Sequence, residues 1–151
     1  MKILAIASHG GHWVQLSRVV PAFYSDDCAT EVVYVSTQSF DFADEGGVHA
    51  IRMVPDCNLT NKRGIVRTAF ALLPIIARMR PDVIVTTGAA PGIIAVAIGR
   101  IFGAKCIWLD SIANGDELSK SGRAASFIAN ECYTQWPHLI NHRVKYIGRV
   151  I

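Results

Sequence analysis

The chain has 151 residues, enough for one α/β domain with a substantial core and too few for two large ones. Half of it is hydrophobic (51%) and only 18% is charged, which points to a fold buried on both faces, or to an apolar surface kept for a partner or a membrane. A formal charge of +3, with no RRM, KH or zinc-finger pattern, argues against a nucleic-acid partner recognised by charge.

In chain order, Lys2 to Ser8 (KILAIAS) reads as a buried parallel strand running into a His-Gly-Gly turn. His12 to Tyr24 carries Val14, Leu16, Val19, Val20 and Phe23 at near-helical spacing. Glu31 to Ser36 (EVVYVS) is a second strand, residues 37–47 a polar loop, His49 to Val54 a weaker third strand, and residues 55–62 a second loop. Arg63 to Arg80 has helical periodicity, with a kink expected at Pro74. Val83 to Thr87 is a fourth strand, followed by a second glycine turn at Gly88 to Gly92. A helix over Ile93 to Phe102, a strand over Lys105 to Leu109, a polar loop over Asp110 to Lys120 and a helix over Gly122 to Asn130 follow. Cys132 to Gln135 and Val144 to Ile147 are short strand candidates. Alternating strands and helices predict one α/β domain, residues 1–151, built on a doubly wound, Rossmann-like parallel sheet. In such sheets ligands sit at the carboxyl ends of the strands, where both glycine turns and the loop from Asp110 fall.

Cys28, Cys57, Cys106 and Cys132 are scattered without a C-x-x-C pair and read as reduced thiols of a cytosolic protein. No metal-ligand spacing is visible, so no metal is expected. No signal-peptide pattern follows Met1, and no run of about 18 apolar residues suggests a spanning helix. The expectation is a cytoplasmic chain with peripheral contact to the inner membrane face left open. Arg63, Arg67, Arg78 and Arg80 beside an apolar helix suit an anionic membrane surface or a lipid diphosphate; a core helix with solvated charges is the simpler reading and the favoured one.

Four motifs carry the chemistry. In Ser8-His9-Gly10-Gly11-His12-Trp13-Val14-Gln15-Leu16, Gly10 and Gly11 let the backbone approach a ligand, and the helix start favours an anionic group. His12, on the first helical turn, has the chemistry to take a proton from an attacking hydroxyl; a helix-capping or hydrogen-bonded histidine is the plainer alternative. In Thr86-Thr87-Gly88-Ala89-Ala90-Pro91-Gly92, small residues such as Gly88 and Ala89 allow close approach of a ligand or tight strand–helix packing. In Leu109-Asp110-Ser111-Ile112-Ala113-Asn114, with Ser121-Gly122-Arg123 following, Asp110, Ser111 and Asn114 are placed to bind sugar hydroxyls, and Asp110 to orient His12; turn capping is the alternative. In Tyr133-Thr134-Gln135-Trp136-Pro137-His138-Leu139, Gln135 and Trp136 are candidates for contact with an acceptor or a partner, or for a core edge.

Taken together and in this order, the motifs resemble PssD-type bacterial exopolysaccharide glycosyltransferase subunits over essentially the whole chain. More distantly they resemble the eukaryotic membrane-anchoring subunit of the split transferase that adds the second N-acetylglucosamine to dolichol-linked oligosaccharide. The first motif is also loosely similar to that of MurG-type transferases. The resemblance implies the N-terminal, acceptor-binding half of a GT-B enzyme, with a second small polypeptide supplying the donor-binding half and most of the UDP-sugar site. It implies inverting transfer to a polyprenyl-diphosphate-linked sugar without a bound metal or other cofactor, and His12 at the catalytic centre. Two positions depart from the eukaryotic pattern: Gln15 and Asp110 each stand where that subunit has Glu, and Gln15 inherits no acid–base role. The spanning segment of that subunit has no counterpart here. A non-catalytic docking subunit that recruits a complete enzyme stays open. So does an unrelated Rossmann-type enzyme, although G-x-G-x-x-G is absent and the second strand ends in Ser36-Thr37-Gln38 without an acid.

Overall fold

A computed structural model describes residues 1–24, 30–39 and 50–150. Six strands, β1 (Lys2–Ala7), β2 (Glu31–Ser36), β3 (Ala50–Met53), β4 (Val83–Thr86), β5 (Lys105–Leu109) and β6 (Glu131–Tyr133), pair in parallel in the order β3-β2-β1-β4-β5-β6. Four helices connect them: α1 (Gly11–Val19), α2 (Lys62–Met79), α3 (Ala90–Ile101) and α4 (Lys120–Ile128). This is the expected doubly wound, Rossmann-like sheet.

The strands are apolar almost without interruption because both faces are covered. In β1, Leu4 and Ile6 point to one face, into a core with Leu72, Ile76, Val96 and Trp108. Ile3, Ala5 and Ala7 point to the other, where they meet Trp13 and Leu16 of α1 and the 3-10 turn Val20–Phe23. Trp13 anchors α1 by meeting Tyr34 edge-on, ring centroids 6.0 Å apart. The sheet and α3 lie so close that a Cβ at Gly92 would sit 2.2 Å from Thr86 Oγ1, and one at Gly99 would sit 2.2 Å from Ile84 Cδ1.

Element boundaries differ from expectation where local chemistry intervenes. The first helix gives way to a 3-10 turn because Pro21 lacks the N–H that α geometry would need next. α2 runs unbroken through Pro74 and is capped by Asn61, whose side chain accepts the Gly64 N–H at 3.1 Å. α3 starts three residues early, at Ala90, with Pro91 in its first turn. The strand expected at Val144 to Ile147 reduces to one bridge, Tyr133 to Lys145, beside β6. The start of the third strand at His49, much of the 37–47 loop and Cys28 lie outside the described residues. Cys57, Cys106 and Cys132 are free, and burial pushes the Cys106 thiol up to about 11 and the Cys132 thiol to about 12.

Candidate functional site

Strand order reverses between β1 and β4, so the loops leaving their carboxyl ends diverge and open a crevice, the usual ligand position in open α/β sheets. The first and second glycine turns form its two sides. Gly10 caps α1 with φ 87°, a backbone that requires glycine, and Gly88 turns with φ 122°. The helices that follow, α1 and α3, begin without a side-chain cap and without an acidic residue in the first turn, so their leading N–H groups stay open to an anion.

His12 sits between the turns. Its Nδ1 lies 2.8 Å from the Thr87 carbonyl oxygen, and Thr87 Oγ1 donates back to the His12 carbonyl at 2.6 Å. A carbonyl only accepts, so Nδ1 carries the proton and a neutral ring has its lone pair on Nε2. Among the described residues no other hydrogen bond engages the ring. Gly88 leaves the ring its place, since a Cβ there would meet Cε1 at 2.7 Å. Gly11 has ordinary backbone angles and no atom within 4 Å of where a Cβ would be, so packing gives no reason for glycine and the space in front of it is free. His9 N–H donates to Thr37 Oγ1 at 3.0 Å, tying this turn to the end of β2.

Asp110 has a different place from the one expected. Its buried carboxylate accepts from Ser119 Oγ at 2.6 Å, Ser119 N–H at 2.9 Å and Trp108 Nε1 at 3.2 Å. The orienting contact on His12 comes from Thr87, and the donors around Asp110 close the 110–119 loop onto the start of α4. Ser119 is also the cap of α4, accepting from Gly122 N–H at 2.8 Å. A Cβ at Gly122 would fall 2.5 Å from Asp110 Oδ1, which accounts for the glycine of Ser121-Gly122-Arg123. The turn-capping reading of this motif is the one its geometry supports.

Ser111, Gln15 and Gln135 form a buried relay. Gln15 Nε2 donates to Ser111 Oγ at 3.2 Å, and Gln135 Nε2 donates to Gln15 Oε1 at 3.2 Å and to the Asp110 carbonyl at 3.0 Å. Gln135 Oε1 in turn accepts from Val150 N–H at 2.9 Å. Gln135 is 0% exposed, so the contact with an acceptor or partner expected of it is replaced by an internal one. Both ends of the Gln15 amide are in use, a donor and an acceptor that a carboxylate would not supply together. Trp136 is half-buried under the same loop, donating Nε1–H to the Ile112 carbonyl at 2.8 Å, with the Arg149 guanidinium 4.4 Å above its ring. Asn114 is half-buried and its N–H closes a turn on the Ser111 carbonyl at 3.0 Å. Ala89 is the residue before α3, at the crevice.

The structure therefore brings His12, Gly10, Gly11, Gly88 and Ala89 together, and sets Asp110, Ser111 and Gln135 behind them as a brace. Sequence reasoning missed the Thr87 carbonyl and the Gln15–Gln135 pairing, 120 residues apart, for which no local pattern exists. Among the described residues no group of three or more His, Cys, Asp or Glu is arranged to hold a metal, and no helix is long and apolar enough to cross a membrane.

No protein-family model matches the chain. Over its full length it is similar to the mouse (Mus musculus) UDP-N-acetylglucosamine transferase subunit ALG14, 23% identical across an alignment covering 83% of that protein. Among solved structures it superposes on Acinetobacter baumannii MurG with a TM-score of 0.73 and 12% identity, covering 97% of this chain and 45% of MurG. It also superposes on UDP-N-acetylglucosamine 2-epimerase from Rickettsia bellii with a TM-score of 0.70 and 13% identity, covering 99% of this chain and 45% of the epimerase. The chain spans less than half the length of these solved structures, and its fold is that of the N-terminal half of GT-B enzymes.

The brace is testable apart from any chemistry. Asp110→Asn turns an N–H toward existing donors, and Gly122→Ala forces a methyl onto the carboxylate. Each is expected to lower unfolding free energy by about 1–3 kcal/mol in urea titrations. Wild-type midpoints for both variants would contradict the capping role.

Proposed function

We propose that this chain is the acceptor-binding half of a split, inverting GT-B glycosyltransferase. It transfers a sugar from a UDP-sugar to a polyprenyl-diphosphate-linked glycan once a second small subunit supplies the donor-binding half. The observation that carries this reading is His12: a ring held by Thr87 through Nδ1, its Nε2 hydrogen-bonded to none of the described residues, on the first turn of one of two helices that start without a side-chain cap. The full-length similarity to a subunit of a UDP-N-acetylglucosamine transferase supports the same chemistry and the need for a partner.

In this mechanism His12 Nε2 accepts the proton of the acceptor hydroxyl while the oxygen attacks the anomeric carbon. The bond from that carbon to the UDP oxygen breaks on the opposite face, and UDP departs with the electron pair, inverting the centre. The Gly10-Gly11 and Gly88 turns lie beside the departing diphosphate, where helix N–H groups offset developing charge. The step as written uses no metal. The test is co-purification of the tagged chain from its own source, followed by transfer assays with UDP-sugars and a prenyl-diphosphate-linked acceptor. A stoichiometric Rossmann-like partner and turnover that needs both chains are expected. Full turnover by the partner alone would reduce this chain to a docking subunit.

The same reading places the chain at the inner membrane face. On α2, Val66, Phe70 and Leu73 repeat at i, i+4 and i+7 and are exposed, Phe70 at 72%, while Thr68, Leu72 and Ile76 face the core. The helix carries Lys62, Arg63, Arg67 and Arg78 and no acid, with Arg80 just beyond it. An apolar stripe bordered by cations suits an anionic bilayer surface. Phe70→Glu is expected to lower co-sedimentation with phosphatidylglycerol-containing vesicles several-fold while leaving the unfolding midpoint unchanged. Equal binding by the variant would remove this face from the account.

A further inference from the structure

On α1, Gly11, Val14, Gln15 and Arg18 fall at i, i+3, i+4 and i+7, one face of the helix, beside the turn that carries His12. With Ile112 and Val150 they line a groove of about 270 Å³. A second groove, lined by Arg18, Pro21, Arg149 and Val150, continues it. The path starts at Gly11, next to His12, and reaches Arg18 about 10 Å further along the helix axis.

Its far end is cationic. The Arg149 guanidinium lies over the Trp136 ring and donates Nε–H to the Gln135 carbonyl at 3.2 Å, which fixes its plane and leaves its terminal nitrogens for another group. Among the described residues no carboxylate pairs with Arg18 or Arg149, and no acid lines either groove. Between Gly11 and the two arginines the walls are mostly apolar, Val14 and Ile112, with Gln15 as the polar side chain among them. A groove that begins at Gly11, the residue before His12, with mostly apolar walls and at its far end two guanidinium groups that no described carboxylate pairs, matches a ligand with a hydroxyl at one end and a multiply charged oxyanion at the other. A hexose with a diphosphate on its anomeric carbon has that shape and about that length.

We propose that Arg18 and Arg149 form the subsite for the diphosphate of the lipid-linked acceptor, with its sugar lying along α1 so that a ring hydroxyl meets His12. This rests on the acceptor-binding reading above, and it gives the acceptor's diphosphate the α1 groove while the glycine turns keep the departing UDP diphosphate. The subsite recognises diphosphate through charge and paired N–H donors, so it works without the partner subunit and without transfer.

The test uses the full chain with inorganic diphosphate, farnesyl diphosphate and glucuronate as probes, by isothermal titration calorimetry at low salt. Binding of both diphosphates is expected, weakened at least tenfold in Arg18→Ala/Arg149→Ala and unchanged in His12→Ala. Equal binding by the double variant, or preference for the carboxylate of glucuronate, would overturn the proposal. With the partner present, the double variant is expected to raise KM for the acceptor several-fold while leaving kcat and the KM for the UDP-sugar in place. Transfer with unchanged acceptor KM would sink the subsite and leave the transferase reading standing. Diphosphate binding without any transfer would do the reverse.

Discussion

Two hydrogen bonds between His12 and Thr87 join the first turn of α1 to the end of β4 across the crevice of the sheet. They fix the backbone through one bond and the imidazole through the other, and the second decides which nitrogen is left to act. Everything around the pair is arranged to permit it. Gly88 gives up its side chain so that the ring has room, Gly10 adopts a backbone closed to other residues, and Trp13 holds the helix onto the sheet from the opposite side. Neighbouring strands set the spacing, because β1 and β4 pair directly, Ile6 opposite Thr86.

Behind this pair lies a brace of buried polar groups. Asp110, Ser119 and Trp108 close one side of the 110–119 loop, and Ser111, Gln15 and Gln135 close the other. Among the described residues every buried side-chain nitrogen and oxygen has a partner. Such a network is costly when half-formed, so it favours a single loop position. The same relay reaches Val150, and Gln135 also holds Arg149, so α1, the loop and the last described segment are fixed relative to one another. A rigid wall of this kind suits the proposed function, in which the cleft would hold an acceptor in register with a donor bound on another polypeptide.

The parallel sheet was readable in the sequence because apolar strands, helical spacing and glycine turns are local signals. His12 at a helix start followed from the Gly-Gly-His turn alone. What could not be read was which polar residues face the crevice and which face inward. Asp110 and Gln135 look like ligand contacts in a one-dimensional list because they occupy strand ends and carry the right atoms. Their partners, Ser119, Gln15 and Val150, are chosen by the fold over as many as 120 residues. Gly122 was visible only as part of a motif, and its reason, the Asp110 oxygen where a Cβ would sit, needed coordinates. Strand pairing at Val144 to Ile147 failed for a related reason: one bridge beside a three-residue edge strand satisfies Lys145 without a ladder.

The claim on which the functional account turns is that His12 takes the acceptor's proton. Its most direct test is the turnover of the complex reconstituted with its partner, comparing wild type with His12→Ala at saturating acceptor and UDP-sugar. The account predicts a fall in kcat of about 10²–10⁴-fold, the usual contribution of a positioned base, with the complex still assembled and stability lowered only by the one side-chain hydrogen bond to Thr87, about 1 kcal/mol. Turnover within a few-fold of wild type would contradict it and leave His12 as a residue that merely ties α1 to β4.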